Sequence, residues 1–172
     1  TWCVSGGRIL TDAGVLALVR TKHQFSAFRH DNFEPTDVRL VVTACDQEQR
    51  RVIELNATEA AREYAECIGV DRAMLDSMSF ASHPVVVKVG GEYYCRSIGH
   101  ANADGSLTFF CAVETGVVLT VSRSRHLVDS ARAAFKSAVS GLGGADLVLG
   151  FDCALRRLDA ENRQMKRELS DV

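Results

Sequence analysis

Local metal-binding motifs are absent from this chain of 172 residues. Its five histidines include no His-x-x-x-His pair and its six cysteines include no Cys-x-x-Cys pair, which excludes the common zinc-binding spacings. Lysine and arginine are scattered instead of forming a basic stripe, and the formal net charge is −2. We therefore expect neither nucleic acid nor a membrane as a partner.

Long apolar runs and a regular cysteine framework are also missing. The longest apolar runs, 117–121 and 147–151, have the length of a strand, whereas a bilayer-spanning helix needs about 20 residues. The cysteines are irregularly spaced, and most lie in apolar segments where this residue behaves as a small hydrophobe. Because a chain of this length can bury a core without disulfides, we expect reduced thiols in a cytoplasmic protein.

Catalytic motifs are not found either. Gly141–Gly144 is a glycine cluster, but it follows a predicted helix and precedes a predicted strand, the reverse of the order in a phosphate-binding loop. No Gly-x-Ser-x-Gly nucleophile elbow occurs. The pattern indicates a binding module and not an enzyme.

Hydrophobic periodicity predicts an α+β fold, with an antiparallel meander sheet of about six strands and three to four flanking helices. A last strand is expected at 147–151, after a helix. Alternation and turn residues predict hairpins at 8–10 with 15–20, 38–44 with 51–55, 84–89 with 92–98, and 107–113 with 117–122.

Helix signals follow the second hairpin. Asn56 and Glu59 have the spacing of a capping box, and Gly69 is expected to end the helix that they begin. The last predicted helix carries an apolar stripe that needs a partner, so a pure interaction domain with this helix as its working surface is one interpretation. We expect this helix to pack against its own domain, in preference to beginning a coiled coil. Further helices are predicted at 72–77, 127–142 and 153–172.

One metal chemistry needs only a single protein ligand, namely haem, whose iron is held by one His or Cys in an apolar pocket. His83 lies beside Phe80 at the mouth of the predicted strand 84–89, which is a suitable setting. Arg96 on the adjacent strand is a candidate partner for an anionic group of the cofactor. His100, near the next turn, is the competing ligand, and an ordinary structural or surface role remains the alternative for each histidine.

A ligand without iron is a second possibility. Arg96 together with the Asp104–Ser106 turn offers a guanidinium, a carboxylate and a hydroxyl. These groups suit an amino acid or another small polar ligand. Arg96, Asp104 and Ser106 are therefore candidate ligand-binding residues.

Three ordered blocks carry a family resemblance. From residue 35 to about residue 158 the chain resembles the C-terminal half of the FIST sensory domain, and residues 5–35 resemble the end of the N-terminal half. We therefore expect residues 1–35 to be the end of one half and 36–172 to be the other, with both ends truncated. The blocks are FASHPVVV with GGEYYCRSI at 80–98, DGSLTFFCAVETG at 104–116 and LVLGFDCALRR at 147–157.

The resemblance implies an intracellular sensor that works with a histidine kinase or a cyclic-di-GMP enzyme. A similar subgroup, the NosP-like proteins, binds haem and senses nitric oxide, and a homodimer is possible. His83 lies in a matching block, so the resemblance implies that it is the haem ligand, whereas His100 does not fit the family pattern. Cys95 also departs from it, since valine is usual there. Amino-acid sensing without haem remains the alternative.

Overall fold

An antiparallel sheet of eight strands forms the centre of the fold, in a computed structural model that describes residues 2–151 and 153–172. The order of its path is β7-β6-β10-β3-β4-β9-β8, with β5 paired to β4, while β1 and β2 form a separate hairpin. The strands are β1 Trp2–Ser5, β2 Arg8–Thr11, β3 Phe33–Asp46, β4 Arg51–Leu55, β5 Thr58–Glu59, β6 Val85–Val89, β7 Glu92–Arg96, β8 Ile98–Ala101, β9 Leu107–Phe109 and β10 Val118–Ser124.

Helices and a 3-10 turn flank this sheet, which confirms the α+β class. The helices are α1 Ala60–Ile68, α2 Ser77–Ser82, α3 Leu127–Ser140, α4 Ala154–Asn162 and α5 Lys166–Ser170, with the 3-10 turn at Arg72–Met74. Within the described ranges, none of these helices has the length and apolar character that crossing a membrane requires.

Strand alternation places the core on one face of the sheet. Register pairs join Leu119 to Leu40 on one side and to Val87 on the other, and Val121 to Val85, so these side chains share a face. Leu40, Leu119 and Val85 are almost completely buried there. Helix α1 packs against β4 and adds Tyr64 to the same core. The opposite face of β3, β10 and β6 is left for other contacts.

The sheet nearly closes on itself. Its end strands β7 and β8 are consecutive in sequence and are joined through Ser97 alone. The backbone amide of Phe110, just after β9, donates to the Ser97 carbonyl at 3.0 Å. This hydrogen bond brings the end of β7 close to the end of β9, so the two ends of the sheet approach each other near Ser97.

Helix α1 ends as predicted but begins differently. Gly69 has a φ of +76° and its amide donates back to Ala65 and Glu66, so the glycine stop is confirmed. The predicted capping box at Asn56 is wrong, because the helix begins after Glu59 and has no side-chain cap. Asn56 instead has a φ of +50° in the turn between β4 and β5, and its side chain accepts from the Val41 amide at 2.8 Å.

Two predicted strands are wrong. Residues 15–20 have no regular structure, because β2 pairs with β1 across the tight Gly6-Gly7 turn, in which both φ angles are positive. Residues 147–151 also lack regular structure, since the nearly closed sheet leaves little free edge to join. Leu16, Leu18 and Phe151 are each 96–97% exposed as a result.

Two connections also differ from the prediction. The hairpin expected between β9 and β10 is wrong, because β9 pairs with β4 and β8 while β10 lies between β3 and β6. The position of β10 depends on pairing with strands that are distant in the sequence, which no local pattern reveals. The single terminal helix expected at 153–172 is divided into α4 and α5 at Gln164, whose φ is +58°.

Candidate functional site

His83 lies at the C-terminal end of α2 and is separated from β6 by Pro84 alone. Both polar groups of its backbone are hydrogen-bonded. The amide donates to the Ser79 carbonyl at 3.0 Å, and the carbonyl accepts from the Tyr64 hydroxyl at 2.7 Å. Its ring is free by comparison, since Nδ1 is buried with no hydrogen-bond partner among the described residues. The backbone of His83 is thus held on both sides while one buried ring nitrogen is left without a partner, and a buried polar atom of this kind calls for an explanation.

Tyr64 fixes His83 from within the core. It is fully buried against Phe80, with ring centroids 5.7 Å apart. Burial raises the pKa of its phenol, so the hydroxyl stays protonated and available as a donor. Its two acceptors are the carbonyl oxygens of His83 at 2.7 Å and Ser79 at 3.3 Å. Helix α1 therefore holds the end of α2 in place.

Arg96 ends β7 at the same end of the sheet. It is the register partner of Val85, which stands two residues after His83 on the neighbouring strand. Its guanidinium has no acidic partner within the described part of the chain, and its one hydrogen bond there is to the Cys95 carbonyl at 3.5 Å. Arg96 also lines a cleft of about 130 Å³ with apolar neighbours and Glu114.

His100 lies apart from this pair of residues along the chain and the sheet. It is on β8, pairs with Thr108 after a register irregularity, and is exposed. Its ring makes no hydrogen bond to any residue that the structure describes. Among the described residues no side chain donates a hydrogen bond to the His100 backbone, whereas Tyr64 donates to that of His83.

The Asp104–Ser106 turn is committed to structural contacts. The Asp104 carboxylate accepts from the Ser106 hydroxyl at 2.7 Å and amide at 3.1 Å, and it forms an ion pair with Arg51. The bonds from Ser106, followed by Arg51, lower the pKa of Asp104. Ser106 is 2% exposed and also accepts from Asn102 at 2.9 Å. These groups hold the β8–β9 turn, and no hydrogen bond or ion pair joins them to Arg96 among the described residues. Their binding of a ligand together with Arg96 stays a prediction.

Sequence reasoning missed Arg51 and Asn102 as members of this cluster. Arg51 is on β4, far from the turn in sequence, and reaches it because β4 pairs with β9. Its guanidinium donates to the Ser106 hydroxyl at 2.8 Å. No local motif marks Arg51, so only the strand register could have found it.

A second cleft, of about 290 Å³, lies on the side of the sheet away from the core and was also missed. Its polar lining comes from four different strands, which explains why no motif revealed it. Those residues are Arg39, Lys88, Tyr93 and Thr120. We call it the outer cleft.

None of the six cysteines forms a disulfide bond within the described part of the chain. Burial raises the pKa of the thiols of Cys67, Cys95 and Cys111, which keeps them protonated and poorly nucleophilic. Among the described residues no cluster of three or more His, Cys, Asp or Glu side chains could hold a metal ion. A metal at this site would therefore rely on a group such as a porphyrin for its other ligands.

The residues around His83 meet part of what haem requires. His83 supplies a nitrogen donor with an unpartnered ring, and Arg96 supplies a cation at the same end of β6 and β7. Neither cleft described above is lined by His83. The donor and the cation fit a haem, and the two clefts do not provide its apolar enclosure.

Comparison with known proteins gives a family for the whole chain. The model of the FIST N domain matches residues 1–58, and that of the FIST C domain matches residues 60–172. No curated protein and no solved structure matches. The family models meet close to β5, whereas the boundary expected after residue 35 falls inside β3 and stays a prediction. The chain therefore belongs to the FIST family, whose domains act as sensors in signal transduction.

Proposed function

We propose that this chain is a cytoplasmic, NosP-like sensor domain that binds haem through His83 and responds to nitric oxide. The observation that carries the proposal is the buried Nδ1 of His83, which has no partner although the backbone of the residue is firmly held. Buried ring nitrogens normally have a hydrogen bond, so an unpaired one favours a missing ligand. When bound, haem supplies the iron that takes up nitric oxide.

Position supports a link from His83 to the rest of the domain. His83 caps α2, and α2 packs against α4. Arg163, next to the end of α4, donates to Ser82 at 3.4 Å, and Asn162 contacts Met78. A shift of His83 on ligand binding would thus be passed to α4, whose Leu158 is 44% exposed.

We propose the α2–α4 pair as the output of the sensor. The partner is a histidine kinase or a cyclic-di-GMP enzyme, and the ligand biases the populations of two arrangements of this pair. The exposed apolar side chains of the domain also suit a homodimer. Nothing in the site calls for catalysis, so the proposed role is sensing alone.

Arg96 favours a second candidate function, the sensing of a small anionic or zwitterionic ligand without iron. Its guanidinium has no acidic partner among the described residues and lines a cleft of about 130 Å³. Arginine binds carboxylates well through paired N–H groups. The cleft is smaller than the roughly 300 Å³ at which ligand pockets usually begin, so a ligand no larger than a small amino acid fits this alternative.

Absorbance titration of the purified chain with haemin tests the haem proposal. We expect a Soret band that saturates at one equivalent in the wild type and is lost in His83→Ala. His100→Ala is the matched control, because it removes an exposed imidazole that belongs to β8 and not to α2. It should titrate as the wild type does.

Two results would count against His83. One is a titration with no saturable Soret band in the wild type, and the other is a band that survives His83→Ala but not His100→Ala. Circular dichroism of both variants checks that they fold. An amino-acid thermal-shift screen with Arg96→Gln as its control then tests the second candidate.

A further inference from the structure

The outer cleft has a defined place in the sheet. Register pairs join Thr120 to Arg39 on β3 and to Val86 on β6, so these three residues stand in one row. Lys88 is two residues further along β6 and pairs with Tyr93 on β7. Because successive side chains alternate between faces, Arg39, Lys88 and Thr120 all lie opposite the buried Leu119 face.

Two cations line the outer cleft without acidic partners in the part of the chain that the structure describes. Arg39 donates from Nη1 to the carbonyl oxygens of Thr36 at 2.6 Å and Val38 at 3.4 Å, and its other N–H groups stay available. The Lys88 ammonium lies 5.5 Å from the ring centroid of Tyr93, a cation–π contact. No aspartate or glutamate belongs to the lining.

Thr120 adds a hydroxyl to the lining. Its side chain makes no hydrogen bond with any described residue, although the residue as a whole is only 3% exposed. The hydroxyl oxygen itself keeps some exposed surface, so the group is open to the cleft. A hydroxyl beside two cations that lack acidic partners favours a ligand with acceptor oxygens.

We propose that the outer cleft binds a small anion with two or three acceptor oxygens, a carboxylate or a phosphate. Arg39 binds two of the oxygens, Lys88 neutralises the charge and Thr120 donates its hydroxyl. The volume of about 290 Å³ limits the ligand to a small molecule. The outer cleft shares Val87 and Val117 with the cleft beside Arg96, but His83 does not line it, so this proposal does not depend on haem binding at His83.

NMR titration of the ¹⁵N-labelled full chain tests the proposal, with inorganic phosphate and succinate as probes and sodium chloride at matched ionic strength as the blank. We expect saturable amide shifts confined to β3, β6, β7 and β10. The double variant Arg39→Gln/Lys88→Gln should weaken binding at least about tenfold, since it removes both cations. Thr120→Val should weaken it about fivefold, the effect of one neutral hydrogen bond.

A charge-matched control comes from α3. Arg132→Gln/Lys136→Gln removes the same two charges at exposed positions away from the cleft and should change affinity less than about twofold. Stronger binding of phosphate would assign a phosphate ligand, and stronger binding of succinate a carboxylate. The proposal is overturned if neither probe gives saturable shifts, or if both double variants lose affinity equally.

Both cleft cations are exposed, so the variants should keep the spectrum of a folded protein. If the double variant does not fold, Lys88→Met alone serves, since it keeps the aliphatic stem and should still weaken binding at least about threefold. Unchanged affinity in Lys88→Met would then overturn the proposal. His83→Ala should bind both probes as the wild type does, which separates this site from the proposed haem site.

Discussion

Replacement of Gly105 by alanine should be the most destabilising small substitution in the β8–β9 turn. Gly105 has a φ of +82°, which L-residues rarely adopt, and its carbonyl accepts from the Ala61 amide at the start of α1 at 2.8 Å. An added Cβ would overlap the carboxyl group of Glu59. That carboxyl is itself held by Arg72 at 3.1 Å, so it cannot move without breaking an ion pair.

The expected magnitude has two parts. Forcing a non-glycine residue into the left-handed region costs about 1–2 kcal/mol. Displacing the Glu59 carboxyl from its partly exposed ion pair with Arg72 adds up to about 1 kcal/mol. Gly105→Ala should therefore lower the free energy of unfolding by about 1–3 kcal/mol. Gly116→Ala is the control, because Gly116 has a φ of +89° but no atom within 4 Å of an added Cβ, so only the first part applies.

Equilibrium unfolding in urea measures both variants, and Glu59→Ala separates the two parts. In a Glu59→Ala background the added methyl group has room, so Gly105→Ala should cost no more than Gly116→Ala does. Equal costs of Gly105→Ala and Gly116→Ala in the wild-type background would refute the steric part. An undiminished cost without the Glu59 side chain would refute the assignment of the clash.

Other predictions concern the residues that hold α2. Tyr64→Phe should lower the free energy of unfolding by about 1–2 kcal/mol, because it leaves the His83 carbonyl without its donor. Tyr93→Phe is the control in the same urea assay and should change that free energy by less than about 0.5 kcal/mol. Asp76→Ala should cost about 1 kcal/mol at pH 7, because Asp76 caps α2 by accepting from the Ser79 amide at 2.8 Å. The bonds from the Ser79 amide and hydroxyl lower the pKa of Asp76, so its contribution is present above the unfolded pKa of about 3.9 and is lost as pH falls through the lower folded value. Denaturation at pH 7 and at pH 2 should therefore show the difference between wild type and Asp76→Ala shrinking in acid, and an equal difference at both would contradict the capping role.

Local signals predicted much of the fold. The Gly90–Gly91 turn and the alternation on both sides of it predicted the β6–β7 hairpin, and the stripe over 127–142 predicted α3. Gly69 predicted the end of α1, because glycine readily adopts the positive φ that it has at this position. Each of these features depends on neighbours in the sequence.

Features that depend on distant strands were not predictable in this way. The position of β10 between β3 and β6 follows from pairing over long sequence distances, and that pairing also creates the outer cleft around Thr120. The ion pair between Arg51 and Asp104 likewise depends on the pairing of distant strands, here β4 with β9. The place of His83 between α2 and β6, in contrast, follows from local sequence.

Histidine-selective NMR of the full chain during titration with diamagnetic gallium protoporphyrin tests whether His83 is the residue that binds the porphyrin metal. The chain has five histidines, so each ring can be followed separately. We expect saturable shifts of the His83 ring nitrogens at one equivalent, with the rings of His100 and His23 unchanged. Saturable shifts at His100 with none at His83, or no saturable shift at any ring, would contradict it.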